Sequence, residues 1–313
     1  MCISLKVKKL SGVLIPICTP FSNGKVDINK LEKNMEAFCQ TELQAYFALG
    51  SNGENCLLNE GERKKVLSII LKKRGKNQLV MAGCSHESTQ GTINLTKWVA
   101  EIGAEIASIQ PPHYFKKVMS DKAIIQFYEE VADNSPLPVV IYNAPGFTGG
   151  VTLSVNTISS LSKHPNIIGM KDSSPTGPGI FLTVVDKEFS VMAGSANIFL
   201  STLVMGGVGG VLSIANYHPR ACCKLYELFK QGKIEEAKRL QYTIIRLNRA
   251  VSGKYGVAGV KAAMDIVGLF GGNPRLPLLP LNIDEKKSIY DALNKFGEEC
   301  PEFMIDLAEI PEH

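Results

Sequence analysis

Three features of the sequence predict a fold of the α/β class, a (β/α)₈ TIM barrel with a C-terminal helical extension. They are eight short apolar runs, amphipathic stretches between them, and a final region in which only helical patterns remain. An open doubly wound sheet is the alternative reading of the same alternation. The strand-like runs are Val13 to Cys18, Ala45 to Leu49, Leu79 to Ala82, Glu105 to Gln110, Pro138 to Tyr142, Ile167 to Met170, Ser190 to Ala193 and Gly210 to Ile214. The fifth and sixth do not alternate polar with apolar residues and stop at turn residues, as buried strands do. The helical stretch between them is long enough for a crossover, so the two strands run parallel and end on the same rim.

The helices follow in order. Asp27 to Thr41, Asn59 to Lys73, Thr89 to Ile102, Asp121 to Asn134 and Ser154 to Lys163 are amphipathic, and Asp27, Asn59, Ser120 and Ser154 are suited to cap helices. Met205-Gly206-Gly207-Val208-Gly209-Gly210 leads into a strand instead of following one, which is the reverse of a dinucleotide-binding turn and reads as a tight helix-to-strand connection. Beyond Asn216 come Pro219 to Gln231, Ile234 to Ala250, Val257 to Phe270 and Asp284 to Phe296, with a Pro-rich bend from Asn273 to Pro280 before the last. The chain therefore divides into a barrel, residues 1–223, and a helical unit, residues 224–313.

Composition narrows the function classes. Of 313 residues, 45% are hydrophobic and 20% charged, which is globular, and no apolar run reaches the ~18 residues of a membrane span. The net charge is only +4, and short runs such as Lys72-Lys73-Arg74 read as solvated helix faces, so no nucleic-acid partner is expected. Eight cysteines without CxxC spacing, and a start with no apolar signal core, point to reduced thiols and a cytoplasmic protein, or a mitochondrial one if a targeting segment is missing. Cys18, Cys56 and Cys84 read as buried apolar residues. Five dispersed histidines lack metal-ligand spacing, and no nucleophile elbow is present, so no metal site is expected.

Barrels of this kind build their active sites at the C-terminal strand ends, where the chain gathers polar residues: Gly50 to Glu54, Pro111 to Tyr114, Tyr142-Asn143, Lys171 to Ser173 and Gly194-Ser195. Lys171 ends a buried strand, where an unpaired ammonium is costly and its pKa falls; the neutral amine is a nucleophile for 2-oxo acids. Pairing with Asp172 is the competing reading. Tyr142 ends the neighbouring strand, where a phenol can relay the proton of a retro-aldol cleavage or simply fill the barrel mouth. Ser51-Asn52-Gly53 can cradle a carboxylate with its amides and hydroxyl. Ser173 is placed to contact the part of a substrate that leaves as aldehyde.

These residues sit in segments that resemble a known family, the pyruvate-dependent class I aldolases related to dihydrodipicolinate synthase and N-acetylneuraminate lyase. The matching pieces are Gly12-Val13 through Thr19-Pro20-Phe21, GSNGE at Gly50 to Glu54, YNAPGFTG at Tyr142 to Gly149, GMKDSS at Gly169 to Ser174 and AGSA at Ala193 to Ala196. The resemblance implies the barrel with C-terminal helices, a homotetramer, a small 2-oxo-acid substrate, and no metal or organic cofactor. It also implies that Lys171 forms a Schiff base, that Tyr142 relays protons, and that Ser51 and Asn52 hold the carboxylate region, with Gly53, Gly194 and Ser195 completing the rim. Tyr114 matches the tyrosine that reaches into a neighbouring subunit's site. Where the synthases carry an arginine for the aldehyde's carboxylate this chain has Phe147, and Ser-Asn replaces their Thr-Thr, so the segments look most like the 4-hydroxy-2-oxoglutarate and 2-keto-3-deoxy-sugar-acid aldolases. A synthase, a sialic-acid lyase and a 2-oxo-acid-binding protein without turnover are the alternatives.

Overall fold

The computed structural model describes residues 10–308. Eight parallel strands close into a barrel: β1 (Gly12–Pro16), β2 (Ala45–Ala48), β3 (Leu79–Gly83), β4 (Ile106–Ile109), β5 (Val139–Asn143), β6 (Ile167–Asp172), β7 (Ser190–Ala193) and β8 (Gly209–Val211), with β8 paired back onto β1. Successive side chains of a strand point to opposite faces, so the strands feed two apolar layers. Leu14, Ala45, Phe47, Met81, Ile106, Val140, Tyr142, Met192 and Val211 pack together inside the barrel. Their neighbours, among them Val13, Tyr46, Val80 and Ile141, join the larger layer beneath the helices. The doubly wound alternative is thereby excluded: its sheet would have two open edges.

Helices α1 (Ile28–Phe38), α2 (Glu60–Lys73), α3 (Thr89–Ile102), α4 (Asp121–Asn134) and α5 (Val155–Leu161) cover the first strands. Asp27, Asn59, Ser120 and Ser154 each accept a backbone N–H in the first turn, a contribution of about 1 kcal/mol apiece. The regular alternation weakens afterwards. Between β6 and β7 there is only a 3₁₀ segment, Pro178–Thr183, entered through Gly177 at φ 72°; between β7 and β8 lies the six-residue α6 (Phe199–Val204). Met205 to Val208 makes the tight turn expected there. The last strand is shorter than its sequence run, because Ser213–Asn216 tightens into a 3₁₀ turn. A small antiparallel ribbon, Phe21–Ser22 with Lys25–Val26, follows β1; Asn23 and Gly24 form its tip, both at positive φ as a tight hairpin turn requires.

The C-terminal helices are α7 (Pro219–Lys230), α8 (Ile234–Asn248), α9 (Lys254–Ile266) and α10 (Ile283–Glu299), with one π-helical stretch, Arg249–Gly253, joining α8 to α9. The expected division after residue 223 falls inside α7, which packs against β1. Among the described residues no helix is long and apolar enough to cross a membrane. Seven cysteines in the described region are free thiols. Burial pushes the thiols of Cys18 and Cys84 up, Cys18 to about 12. Cys56 departs from expectation: it is exposed, because the turn after β2 carries it out to the surface. Cys2 and His313 lie outside the described residues.

Candidate active site

Tyr142 and Lys171 end β5 and β6 and are partners in register. Lys171 is 5% exposed, and its amine lies 3.9 Å from the centre of the Tyr142 ring and 5.2 Å from that of Phe47. Among the described residues it forms no ion pair. The competing partner, Asp172, is one residue further along and so faces away; it accepts from Asn143 Nδ2 at 2.6 Å and Ser174 Oγ at 2.9 Å. Burial raises the Asp172 carboxyl above its ordinary value, with those hydrogen bonds opposing. For Tyr142 the balance is reversed. Burial pushes the phenol up, but the Lys171 ammonium and hydrogen bonds with Ser51, Lys171 and Ser173 outweigh it, and the phenol ends below its ordinary value.

The turn after β2 supplies the second wall. Ser51 Oγ lies 3.4 Å from Tyr142 Oη, and Asn52 Oδ1 accepts from Ser213 Oγ at 3.4 Å while its Nδ2 is buried without a partner. Gly53 sits beneath this wall instead of in it. Its N–H already donates to Gly50 O at 3.1 Å, and a Cβ there would lie 3.0 Å from Ile17 O, so its role is to let the turn close onto β1. On the opposite wall Ser173 N donates to Asn143 O at 2.8 Å, and Gly194 must lack a side chain because a Cβ would overlap Ser173 Oγ. Ser195 lines the cavity, its hydroxyl accepting from Asn197 N at 3.3 Å.

Phe147 stands at the mouth, 60% exposed. Besides Gly53, Tyr114 is an expected site residue that the chain does not bring to its own cavity. It is 78% exposed, stacked edge-on against Phe115, with its N–H donating to Glu87 Oε2 at 2.8 Å, and the adjacent His113 reaches the rim in its place.

The cavity, about 1350 Å³, includes residues that sequence reasoning missed. Ser108 and Gln110 project inward from β4 and its end. Asn248 and Ser252 arrive from the C-terminal helices, Asn248 Nδ2 donating to Asn197 Oδ1 at 2.9 Å and Ser252 Oγ to Asn248 Oδ1 at 2.8 Å. Six buried side-chain polar atoms in the described region lack a partner, and four of them, on Asn52, Asn55, Ser108 and Gln110, belong to residues lining this cavity. Unmet hydrogen-bonding capacity is thus concentrated where a polar ligand would meet it. The signal in the sequence was the period-two pattern Ile106, Ser108, Gln110 inside a run read only as strand-like. No cluster of three or more His, Cys, Asp or Glu suited to a metal occurs among the described residues.

Comparisons with known proteins show which family the chain is similar to. A probable mitochondrial 4-hydroxy-2-oxoglutarate aldolase of Emericella nidulans is 34% identical over 91% of this chain and 94% of its own. An L-threo-3-deoxy-hexylosonate aldolase of Aspergillus niger is 30% identical over 95% and 98%. Among solved structures, the 4-hydroxy-tetrahydrodipicolinate synthase of Methylacidiphilum fumariolicum SolV superposes with a TM-score of 0.88 at 28% identity, covering 94% of this chain and 98% of that one. The model of the dihydrodipicolinate synthetase family matches residues 9–296, and the chain belongs to that family.

Proposed function

We propose that the protein is a Schiff-base aldolase that cleaves a 4-hydroxy-2-oxo acid, either 4-hydroxy-2-oxoglutarate or a 2-keto-3-deoxy sugar acid, to pyruvate and an aldehyde. The observation that carries this reading is a buried lysine without a carboxylate partner, packed on a phenol whose pKa is lowered. The Lys171 amine attacks the C2 carbonyl and water leaves, giving an iminium ion. The Tyr142 phenolate takes the C4 hydroxyl proton; the C3–C4 electron pair moves into the iminium to form an enamine, and the aldehyde departs. Protonation at C3 and hydrolysis release pyruvate and the free amine. Ser51 and Asn52 hold the C1 carboxylate, and Ser173 and Ser195 face the departing aldehyde.

Two features favour this substrate class over the synthase's. Phe147 offers no charged group for a carboxylate on the aldehyde, and the far wall of Ser195, Asn197, Asn248 and Ser252 presents hydroxyls and amides suited to a hydroxylated chain, so of the two substrates both features favour the 2-keto-3-deoxy sugar acid over 4-hydroxy-2-oxoglutarate, whose leaving aldehyde carries a carboxylate. The cysteine usage favours a cytoplasmic protein, with a mitochondrial one as the alternative, and the resemblance favours a homotetramer. Tyr114, Phe115 and Val118, all exposed, lie in the face a second copy would cover, with Tyr114 entering the partner's cavity. Coupled pyruvate release from 4-hydroxy-2-oxoglutarate, 2-keto-3-deoxy sugar acids and N-acetylneuraminate, run beside a synthase assay, tests the proposal. Release from one of the first two is expected. Release from N-acetylneuraminate alone, or synthase activity alone, would replace it with the corresponding alternative, and pyruvate binding without cleavage of any would point to a non-catalytic protein.

A further inference from the structure

Glu54 closes the turn that carries Ser51 and Asn52, and it is fully buried in a left-handed conformation, φ 52°. Both carboxylate oxygens are occupied from the C-terminal region. Oε1 accepts from Lys261 Nζ of α9 at 2.7 Å, and Oε2 accepts from the backbone N–H of Arg275 at 2.8 Å. Lys261, whose side chain is 0% exposed, also donates to Thr19 O at 2.9 Å, and Thr19 Oγ1 in turn donates to Gly53 O at 2.8 Å. The Arg275 guanidinium grips Glu62 through two 2.7 Å hydrogen bonds and donates to Leu57 O at 2.7 Å, so the segment that follows the turn is held from the same side.

A buried ion pair of this kind adds little net stability compared with well-packed apolar side chains, because desolvation offsets the attraction. Its consequence is geometric. Strained backbone persists only where the surroundings over-determine it, and Gly53–Glu54 is held by Thr19, Lys261 and Arg275. The two residues immediately before are the cavity-facing Ser51 and Asn52. We infer that the Glu54–Lys261 pair, with the Arg275 backbone, is a positioning clamp by which the C-terminal helices set the carboxylate-binding turn, so that affinity for the 2-oxo acid depends on charged groups whose hydrogen bonds are made within the fold. The inference rests on the proposed imine chemistry at Lys171.

The test follows borohydride trapping of the protein by pyruvate as a function of pyruvate concentration. It uses the wild type, Glu54→Gln, the double variant Glu54→Gln/Lys261→Met, and Ile289→Ala, which opens a cavity on the buried side of α10 and lowers stability while leaving the three clamp residues unaltered. The double variant removes both charges, so the net charge around the site is unchanged. The pyruvate concentration for half-maximal trapping should rise about tenfold in the double variant and by about threefold in Glu54→Gln, while the maximal trapping rate changes less than about threefold. Ile289→Ala should keep the wild-type half-saturation despite melting earlier, which separates positioning from stability. A wild-type half-saturation in Glu54→Gln and in any folded double variant would overturn the clamp alone. Absence of trapping in the wild type would overturn the imine reading, and the clamp's role with it.

Discussion

Among the described residues two lysines are buried, and their surroundings differ in one respect. Lys261 is enclosed with Glu54 and the Thr19 carbonyl, so its hydrogen bonds are made within the fold. Lys171 faces a cavity, rests on two aromatic rings and has no carboxylate beside it. Burial alone therefore does not make an amine reactive. A paired ammonium is a structural tie, because removing it would strand a buried carboxylate; an amine that faces a cavity with no carboxylate beside it is left open to a ligand. The family's chemistry and its C-terminal helices meet in this contrast.

The same substitution at both lysines gives the largest separation. Lys171→Met should lower kcat by more than about 10⁴-fold while leaving the melting temperature level or higher, since it removes a buried amine without stranding a carboxylate. Turnover and thermal denaturation measured on one preparation check both halves. Tyr142→Phe should slow cleavage by about 10²- to 10⁴-fold yet keep borohydride trapping. In the unaltered enzyme the rising limb of the cleavage rate with pH should fall below 10, the ordinary tyrosine value, because Lys171 stabilises the phenolate. A limb at or above that value would contradict the assignment of Tyr142 as base.

Lys261→Met should do the reverse of its counterpart. Leaving Glu54 buried without its partner costs about 3–5 kcal/mol in denaturant unfolding, while trapping at saturating pyruvate still proceeds on Lys171. A third buried base sharpens the contrast from the side of pH. His218 packs on Phe296 with its Nε2 unpartnered, and burial pushes it down to about 4. The unfolded chain binds that proton near the ordinary value of 6.5 and the folded chain does not until about 4, so stability is fully present above 6.5 and falls as pH drops through this window, by up to about 3 kcal/mol. His218→Phe should flatten that slope in unfolding curves taken between pH 7 and 4.

What could be read from the sequence was what is encoded locally. Tyr142 and Lys171 end apolar runs, and placing those runs as consecutive barrel strands puts the two side chains on one rim. The four helix caps were legible for the same reason. Asn23-Gly24 is a strong hairpin signal that went unread because the strands it joins have only two residues each. The 3₁₀ segment after β6 escaped because Gly177 and Pro178 break a helix without leaving a periodic pattern. Ser108 and Gln110 are polar residues on the inner face of a run whose alternation was not read. The clamp was beyond local reading altogether, since Glu54 and Lys261 are 207 residues apart and only closure of the barrel beneath α9 joins them. Tyr114 was legible as a residue type, but its exposed position shows that one chain alone does not bring it to the cavity it was expected to enter.

The contrast between the two lysines is tested most directly by reducing the protein with borohydride in the presence of pyruvate and mapping the added mass by peptide sequencing. The account predicts a single reduced pyruvate adduct on Lys171 and none on Lys261. No adduct, or an adduct on any other lysine, would contradict it.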